Sequence, residues 1–119
     1  MKMLEDTNEL LFRAVRPSDA CWKDKEAKKL SSAAFKDKNV LSVDRKGDRT
    51  TEAAIENAKE KFEGTIISVT VGNCKEKEAI VTICPTDDNE YHCEIINSIE
   101  KKLLTKSQAK HLAACAVVY

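Results

Sequence analysis

Glycine and proline are scarce in this sequence, which contains three glycines and two prolines among its 119 residues. Because these two residues are the strongest local signals for turns and element ends, each one constrains the fold. Pro17 ends an apolar run, residues 10–16, that predicts a strand, since proline cannot donate to a strand ladder. Gly47 lies in the turn that ends a second predicted strand at 39–44, and Gly64 marks the end of the clearest predicted helix.

Two segments carry the signals of capped helices. The first covers residues 52–62 and begins after Thr50 or Thr51, either of which can accept hydrogen bonds from first-turn amides. Its apolar residues recur at helical spacing on one face: Ala54, Ile55, Ala58 and Phe62. The second begins at a capping box, residues 105–108, in which threonine and glutamine satisfy each other's backbone donors. Its predicted apolar face consists of Ala109, Leu112, Ala113, Ala116 and Val117.

The remaining segments favour strands. Two β-branched runs, 65–71 and 79–84, are separated by seven polar and small residues and give the strongest hairpin signal in the chain. A further strand is predicted at 91–96, and the lysine-rich stretch 18–35 predicts a long loop. This order of elements predicts an α+β fold, with a mainly antiparallel sheet and about two helices packed on one face.

Length and charge limit the domain count and the partners. The chain suits a single globular domain, residues 1–119, with residues 1–9 as a candidate flexible N-terminus. Lysine plus arginine number 20 and aspartate plus glutamate number 20, so no global positive field would gather nucleic-acid phosphates. Residues 1–50 hold 12 basic and 9 acidic side chains, which fits either a contact with an anionic ligand or an ordinary solvated surface.

The five cysteines indicate a reducing compartment. Their number is odd and no C-x-x-C pair occurs, which argues against a secreted disulfide framework. The first residues contain charges and no apolar run of signal-peptide length, and no run approaches the ~20 residues needed to cross a bilayer. We therefore expect a cytoplasmic protein with reduced cysteines and no membrane partner.

The densest group of reactive side chains lies at residues 89–94. Strand alternation places His92 and Glu94 on one face, where the carboxylate could hold the imidazole in one tautomer and raise its basicity. This pair is the predicted catalytic site. The alternative is a solvated polar strand face above buried Tyr91 and Cys93.

Five further residues form the predicted ligand-binding set. Arg13 lies between two apolar neighbours on its strand face and needs a ligand anion or a carboxylate partner such as Glu94 or Asp44. A serine pair before the second strand suits either a ligand's phosphate or sugar, or a turn that satisfies its own backbone. The set consists of Arg13, Ser31, Ser32, Ser42 and Asn89.

No metal site is predicted. Cys84, His92 and Cys93 could converge across neighbouring strands, but adjacent strand residues point to opposite faces. Zinc sites usually draw on ligand pairs spaced two to four residues apart. Neither a nucleophile elbow nor a glycine-rich phosphate loop is present.

Three fragments together resemble a family of small, uncharacterised prokaryotic proteins. They are F-R-A-V-R-P at 12–17, S-S-A-A-F at 31–35 leading to L-S-V-D-R at 41–45, and N-E-Y-H-C-E-I at 89–95. The resemblance implies a bacterial or archaeal origin and no particular activity. Glu90 stands where members often carry a proline soon after the asparagine, so the local turn is expected to differ.

The order of three residues is also similar to that in NAD-using ADP-ribosyltransferases. By this analogy Arg13 would hold a phosphate, Ser32 would position the nicotinamide ribose, and Glu94 would stabilise the oxocarbenium charge.

Two functions follow from these observations. The first is a non-catalytic binding or accessory protein, whose expected partner is another protein and which needs no cofactor. The second is an enzyme acting on a nucleotide-like anionic substrate, with NAD as the cofactor. The sequence leaves open whether the protein is an enzyme, and nucleic-acid contact by lysines 23–29 is the weakest alternative.

Overall fold

The computed structural model describes residues 2–119, which form a seven-stranded antiparallel sheet, a short separate ribbon and three α-helices. The strands are β1 (Lys2–Met3), β2 (Leu10–Val15), β3 (Trp22–Asp24), β4 (Lys29–Leu30), β5 (Leu41–Arg45), β6 (Thr65–Thr70), β7 (Ile80–Ile83), β8 (His92–Ile96) and β9 (Val117–Val118). The helices are α1 (Thr51–Lys61), α2 (Val71–Lys75) and α3 (Lys106–Cys115). Two 3-10 turns lie at Asp19–Cys21 and Ser32–Phe35.

The sheet has the strand order β1-β7-β8-β5-β2-β6-β9, and every neighbouring pair is antiparallel. Strands β3 and β4 pair with each other outside it. The predicted α+β class with a mainly antiparallel sheet is therefore confirmed. Among residues 2–119, no helix is both long enough and apolar enough to cross a bilayer.

The helices are divided between the two faces of the sheet, in contrast to the expected packing on one face. Phe12 and Ile66 pack against α1, and the neighbouring residues Leu11 and Ile67 point to the opposite face and join the core under α3. Successive side chains of a strand point to opposite faces of the sheet. A strand with apolar residues at adjacent positions therefore needs other elements packed on both faces. The central strands β2 and β6 have this pattern.

The predicted hairpin between residues 65–71 and 79–84 is wrong. Strand β6 pairs with β2 and β9, whereas β7 pairs with β1 and β8, so the two strands lie far apart in the sheet. Helix α2 occupies the intervening segment because Thr70 and Asn73 form a reciprocal capping box. Gly72 lets α2 lie close to the backbone of Thr7, since a Cβ atom at this position would lie 3.0 Å from the Thr7 carbonyl oxygen.

The stretch 18–35 is an ordered, packed segment and not the predicted long loop. It contains both 3-10 turns and the β3–β4 ribbon. The Trp22 indole N–H donates to the Arg16 carbonyl at 3.0 Å. Leu30, Ala34 and Phe35 are buried in the core under α3, so their apolar side chains anchor the segment.

The chain ends are also joined to the sheet. Within the candidate flexible N-terminus, residues 2–3 form the edge strand β1, which pairs with β7, and Glu5 forms a 2.7 Å ion pair with Lys75. At the other end, α3 stops at Cys115. Val117 therefore does not continue the apolar face of the helix; it belongs to strand β9 and pairs with Ser68 of β6.

Candidate functional site

The α1 side of the sheet is open around its central strand. Helix α1 packs over β2 and β6, the strands that supply Phe12 and Ile66. Ser42 lies on the same face of β5, in the middle of the seven strands, and is nevertheless exposed. The end of α1 and the neighbouring strands β5 and β8 therefore border a depression.

This depression, which we call the polar groove, is a cavity of about 320 Å³. Two phenylalanines lie on its apolar side, and polar side chains line much of the rest. Its main lining residues are Phe12, Phe62, Ser42, Asp44, Asn89 and His92. Four residues of the predicted site, Arg13, Ser42, Asn89 and His92, thus line one cavity.

Asp44 is a carboxylate that is only 7% exposed at the base of the polar groove. It accepts a hydrogen bond of 2.8 Å from the Asn89 side-chain amide. The Asn89 side-chain oxygen in turn accepts from the Tyr91 backbone N–H at 3.0 Å. Since an amide nitrogen donates and an amide oxygen accepts, these two contacts fix the orientation of Asn89.

His92 lies directly opposite Asp44 in the pairing of β5 with β8. Its Nδ1 atom is 2.9 Å from the Cys84 carbonyl oxygen, which can only accept, so Nδ1 carries a proton. In the neutral ring Nε2 is then left as an acceptor. The groove therefore offers a buried carboxylate and an imidazole of defined tautomer side by side.

Cys84 is the thiol nearest this histidine, with its Sγ atom 3.5 Å from Nδ1. Burial raises the pKa of the Cys84 thiol, and the charge of Glu94 raises it further. A thiol with a raised pKa stays protonated at neutral pH and is a poor nucleophile. The Cys84–His92 contact is therefore not an activated thiolate pair.

Glu94 shares a strand face with His92, as predicted from alternation, and lies opposite Ser42 on β5 and Thr82 on β7. The backbone carbonyl of Cys84, and not the Glu94 carboxylate, fixes the His92 tautomer. The half-buried Glu94 side chain adds negative charge to this face of the sheet.

A second, larger cavity of about 1140 Å³ adjoins the polar groove, and we call it the basic groove. The two cavities share Arg13, Ala14 and Phe62 among their lining residues, so they form one continuous surface. The charged residues of the basic groove are Arg13, Arg16, Lys36, Lys38, Lys61, Asp37 and Glu63. Five of them are basic and two are acidic, a net charge of +3.

Arg13 is held by the protein itself. Its guanidinium donates to the carbonyls of Ala34 at 3.0 Å and Ser42 at 3.1 Å, and pairs with Asp37 at 3.0 Å. The carboxylate partner of Arg13 is therefore Asp37, whereas Glu94 or Asp44 was predicted. Because this pair neutralises itself, the excess positive charge of the basic groove comes from the exposed residues Arg16, Lys36, Lys38 and Lys61.

Two of the three serines of the predicted ligand set, Ser31 and Ser32, lie apart from the polar groove. The Ser31 hydroxyl donates to the Ala20 carbonyl, and the Ser31 N–H donates to the Cys21 carbonyl. Ser32 opens the 3-10 turn that packs against α3, on the opposite face from α1. The structure thus groups Ser42, Asn89, His92 and Glu94, with Arg13 beside them, and separates them from Ser31 and Ser32.

Sequence reasoning missed several members of the site. Asp44 could have been found, because a charged residue next to Val43 in an apolar strand requires a partner or a function. No local sequence pattern indicated a role for Lys36 and Lys38. They line the basic groove only because of how the segment before β5 packs. The structure also brings together Glu76, His111 and Cys115, whose donor atoms lie within 4.8 Å of one another.

Comparisons with known proteins give no further assignment. No family model, curated protein or solved structure matches this chain. The resemblance to small prokaryotic proteins and the analogy with ADP-ribosyltransferases therefore remain predictions from the sequence.

Proposed function

We propose that this protein is a non-catalytic binding protein whose ligand is a small anionic molecule. The ligand's negative group would lie in the basic groove and its polar part in the polar groove. One observation carries this proposal: the basic groove has a net charge of +3 in a chain whose total net charge is zero. A concave surface lined by one sign of charge concentrates ions of the opposite sign.

The size and chemistry of the joined grooves support a ligand with two distinct parts. Small-molecule sites usually occupy about 300–1,000 Å³, and the two cavities of about 1140 and 320 Å³ lie at or just beyond this range. Lysine and arginine suit phosphate or carboxylate oxygens. Asp44, Asn89 and His92 offer acceptors and donors of fixed orientation, which suit hydroxyl or amide groups of a sugar or base.

The compartment and partner belong to the same proposal. We expect a cytoplasmic prokaryotic protein that delivers or senses its ligand in complex with another protein. The five cysteines occur as free thiols, and Cys74 and Cys93 are fully buried. Burial raises the pKa of both thiols to about 12, so both stay protonated at neutral pH.

A second candidate function is an enzyme that acts on a nucleotide-like substrate such as NAD. The specific observation in its favour is the unpaired Nε2 atom of His92 beside the Asp44 carboxylate, a suitable position for a general base. Ser32 lends this candidate no support, because it lies on the other side of the sheet from Glu94. We would expect NAD cleavage by the wild-type protein and none by His92→Ala.

A titration with ADP tests the binding proposal. We expect backbone amide resonances of residues 13–16, 18, 36–44 and 89–92 to shift when ADP is added to the isotope-labelled protein. The double variant Lys36→Ala/Lys38→Ala should bind about 5- to 30-fold more weakly, since two attractions of roughly 0.5–1 kcal/mol each are removed. Raising the salt concentration should weaken binding to the wild type in the same direction.

The matched control is Lys106→Ala/Lys110→Ala, which removes the same charge from exposed positions on α3. This variant should bind ADP as the wild type does. Equal losses in the two double variants would mean that only the overall charge matters. Shifts confined to residues outside the two grooves would overturn the proposed site.

A further inference from the structure

Three donor side chains of different chemistry converge on the α3 side of the sheet, away from both grooves. Glu76 directly follows α2, whereas His111 and Cys115 lie on α3. Residues four apart on a helix lie on the same face, so the imidazole and the thiol project together. A carboxylate, an imidazole and a thiol thus meet at one point.

Two of the distances among these donors are close to those of a tetrahedral metal centre. The Nε2 atom of His111 lies 3.1 Å from the Glu76 Oε1 atom and 3.5 Å from the Cys115 Sγ atom. With zinc bonds of about 2.0–2.3 Å, tetrahedral donors lie roughly 3.3–3.6 Å from each other. All three atoms of this cluster lie within 4.8 Å of one another, so small side-chain movements would admit an ion.

The backbone around the three side chains is fixed by capping interactions. The Gln108 side chain, one helical turn before His111, donates to the Lys77 carbonyl at 3.1 Å and so ties α3 to the residue next to Glu76. The Asn73 side chain caps α2 and also approaches the Glu76 carboxylate at 3.4 Å. These contacts hold the two chain segments at a set separation before any ion is bound.

We propose that Glu76, His111 and Cys115 bind one zinc ion and leave its fourth coordination position open to water. Cysteine, histidine and carboxylate are the ligands that zinc prefers, and three protein ligands with one water are typical of accessible sites. The Glu76 side chain is 59% exposed and that of His111 25% exposed, so an ion can enter from solvent. On binding, the Cys115 thiol loses its proton to solvent and His111 coordinates through its neutral Nε2 atom.

Without a metal, the same three side chains would form only a surface ion pair and a weak thiol hydrogen bond. The chain offers an internal comparison, since the Cys84 thiol also lies 3.5 Å from a ring nitrogen, that of His92. In that pair, the His92 nitrogen that faces the thiol already forms a hydrogen bond to the Cys84 carbonyl oxygen. The proposed site therefore predicts metal binding that depends on Cys115 and is independent of Cys84.

The experiment uses the full chain, freed of metal with a chelator and kept reduced, and titrated with Co²⁺ and then with Zn²⁺. We expect one Co²⁺ per chain, with the thiolate-to-cobalt charge-transfer absorption of a cysteine-ligated ion, and displacement of this absorption by one equivalent of Zn²⁺. Cys115→Ala should abolish the absorption, and Cys84→Ala should leave it unchanged. Zn²⁺ should also raise the melting temperature of the wild type but not of Cys115→Ala.

The exposed ligand provides a variant that cannot disturb the core. Glu76→Ala should weaken Zn²⁺ binding by at least roughly tenfold, since even groups that only support a ligand contribute 10- to 100-fold. Its circular dichroism should match that of the wild type, which separates loss of binding from loss of fold. Absence of Co²⁺ binding, or an absorption that disappears with Cys84→Ala and survives Cys115→Ala, would overturn the proposal.

Discussion

At the scale of single residues, the structure distinguishes side chains that hold the fold from those that face a ligand. Arg13 is the clearest case, because sequence reasoning allowed both roles. Its guanidinium donates to two backbone carbonyls and pairs with one carboxylate of the chain, and its side chain is only 17% exposed. The neighbouring cations Arg16, Lys36 and Lys38 are exposed and remain available to an anion.

Arg13→Met should therefore reduce stability, because it leaves the Ala34 and Ser42 carbonyls and Asp37 without their donor. We expect the free energy of unfolding in urea to fall by about 2–3 kcal/mol, from hydrogen bonds to a charged group of roughly 1.5–3 kcal/mol. The matched control is Arg16→Met, an exposed arginine, which should stay within about 0.5 kcal/mol of the wild type. Equal effects of the two substitutions would contradict the structural role of Arg13.

At the scale of elements, capping decides where the helices begin. All three α-helices start after a threonine whose hydroxyl accepts from the third helical amide: Thr50, Thr70 and Thr105. The first and third were predicted from the sequence. The second was missed because Asn73 takes the place of the usual glutamate or glutamine, and because β-branched runs on both sides suggested a hairpin.

Thr105→Ala should destabilise the protein, since it removes the hydroxyl that accepts from the Gln108 amide at 3.1 Å. Loss of such a cap costs about 1 kcal/mol, and here the Gln108 side chain also links α3 to Asn97 and Lys77. We expect a loss of about 1–2 kcal/mol in urea unfolding. Ser107→Ala, an exposed position in the same turn, is the control and should have little effect. A loss as large in the control would show that the cap is not the cause.

At the scale of the whole molecule, the sheet has long strands in its interior and short strands at its two edges. The two edge strands β1 and β9 contain two residues each, whereas β2 and β6 in the interior contain six each. Two apolar clusters, one on each face, share the central strands. Local unfolding is therefore expected to begin at the edges.

Hydrogen exchange tests this arrangement. Amides of β2 and β6 should exchange only on global unfolding, because the side chains of these strands pack into both apolar clusters. Amides of β1, β9 and the β3–β4 ribbon should exchange at least about tenfold faster at neutral pH, where opening is local. Equal protection in β1 and β2 would mean that the sheet opens as one unit.

The sequence alone determined the class of fold, the β2 strand, the two long helices with their caps, and the shared face of His92 and Glu94. These features depend on local physics: strand alternation, helical periodicity and the pairing of a threonine with the amides that follow it. Such signals act over a few residues and can be seen without the fold.

Only the tertiary structure decided which strands pair, on which face each helix lies, and which side chains meet. The β6–β7 segment shows why, since two adjacent β-branched runs can pair with each other or with strands elsewhere, and burial of both sheet faces selects the second arrangement. The groove containing Asp44, Asn89 and His92 and the cluster of Glu76, His111 and Cys115 each join residues that are far apart in the chain. Their proximity results from the packing of the whole molecule, which short sequence patterns do not encode.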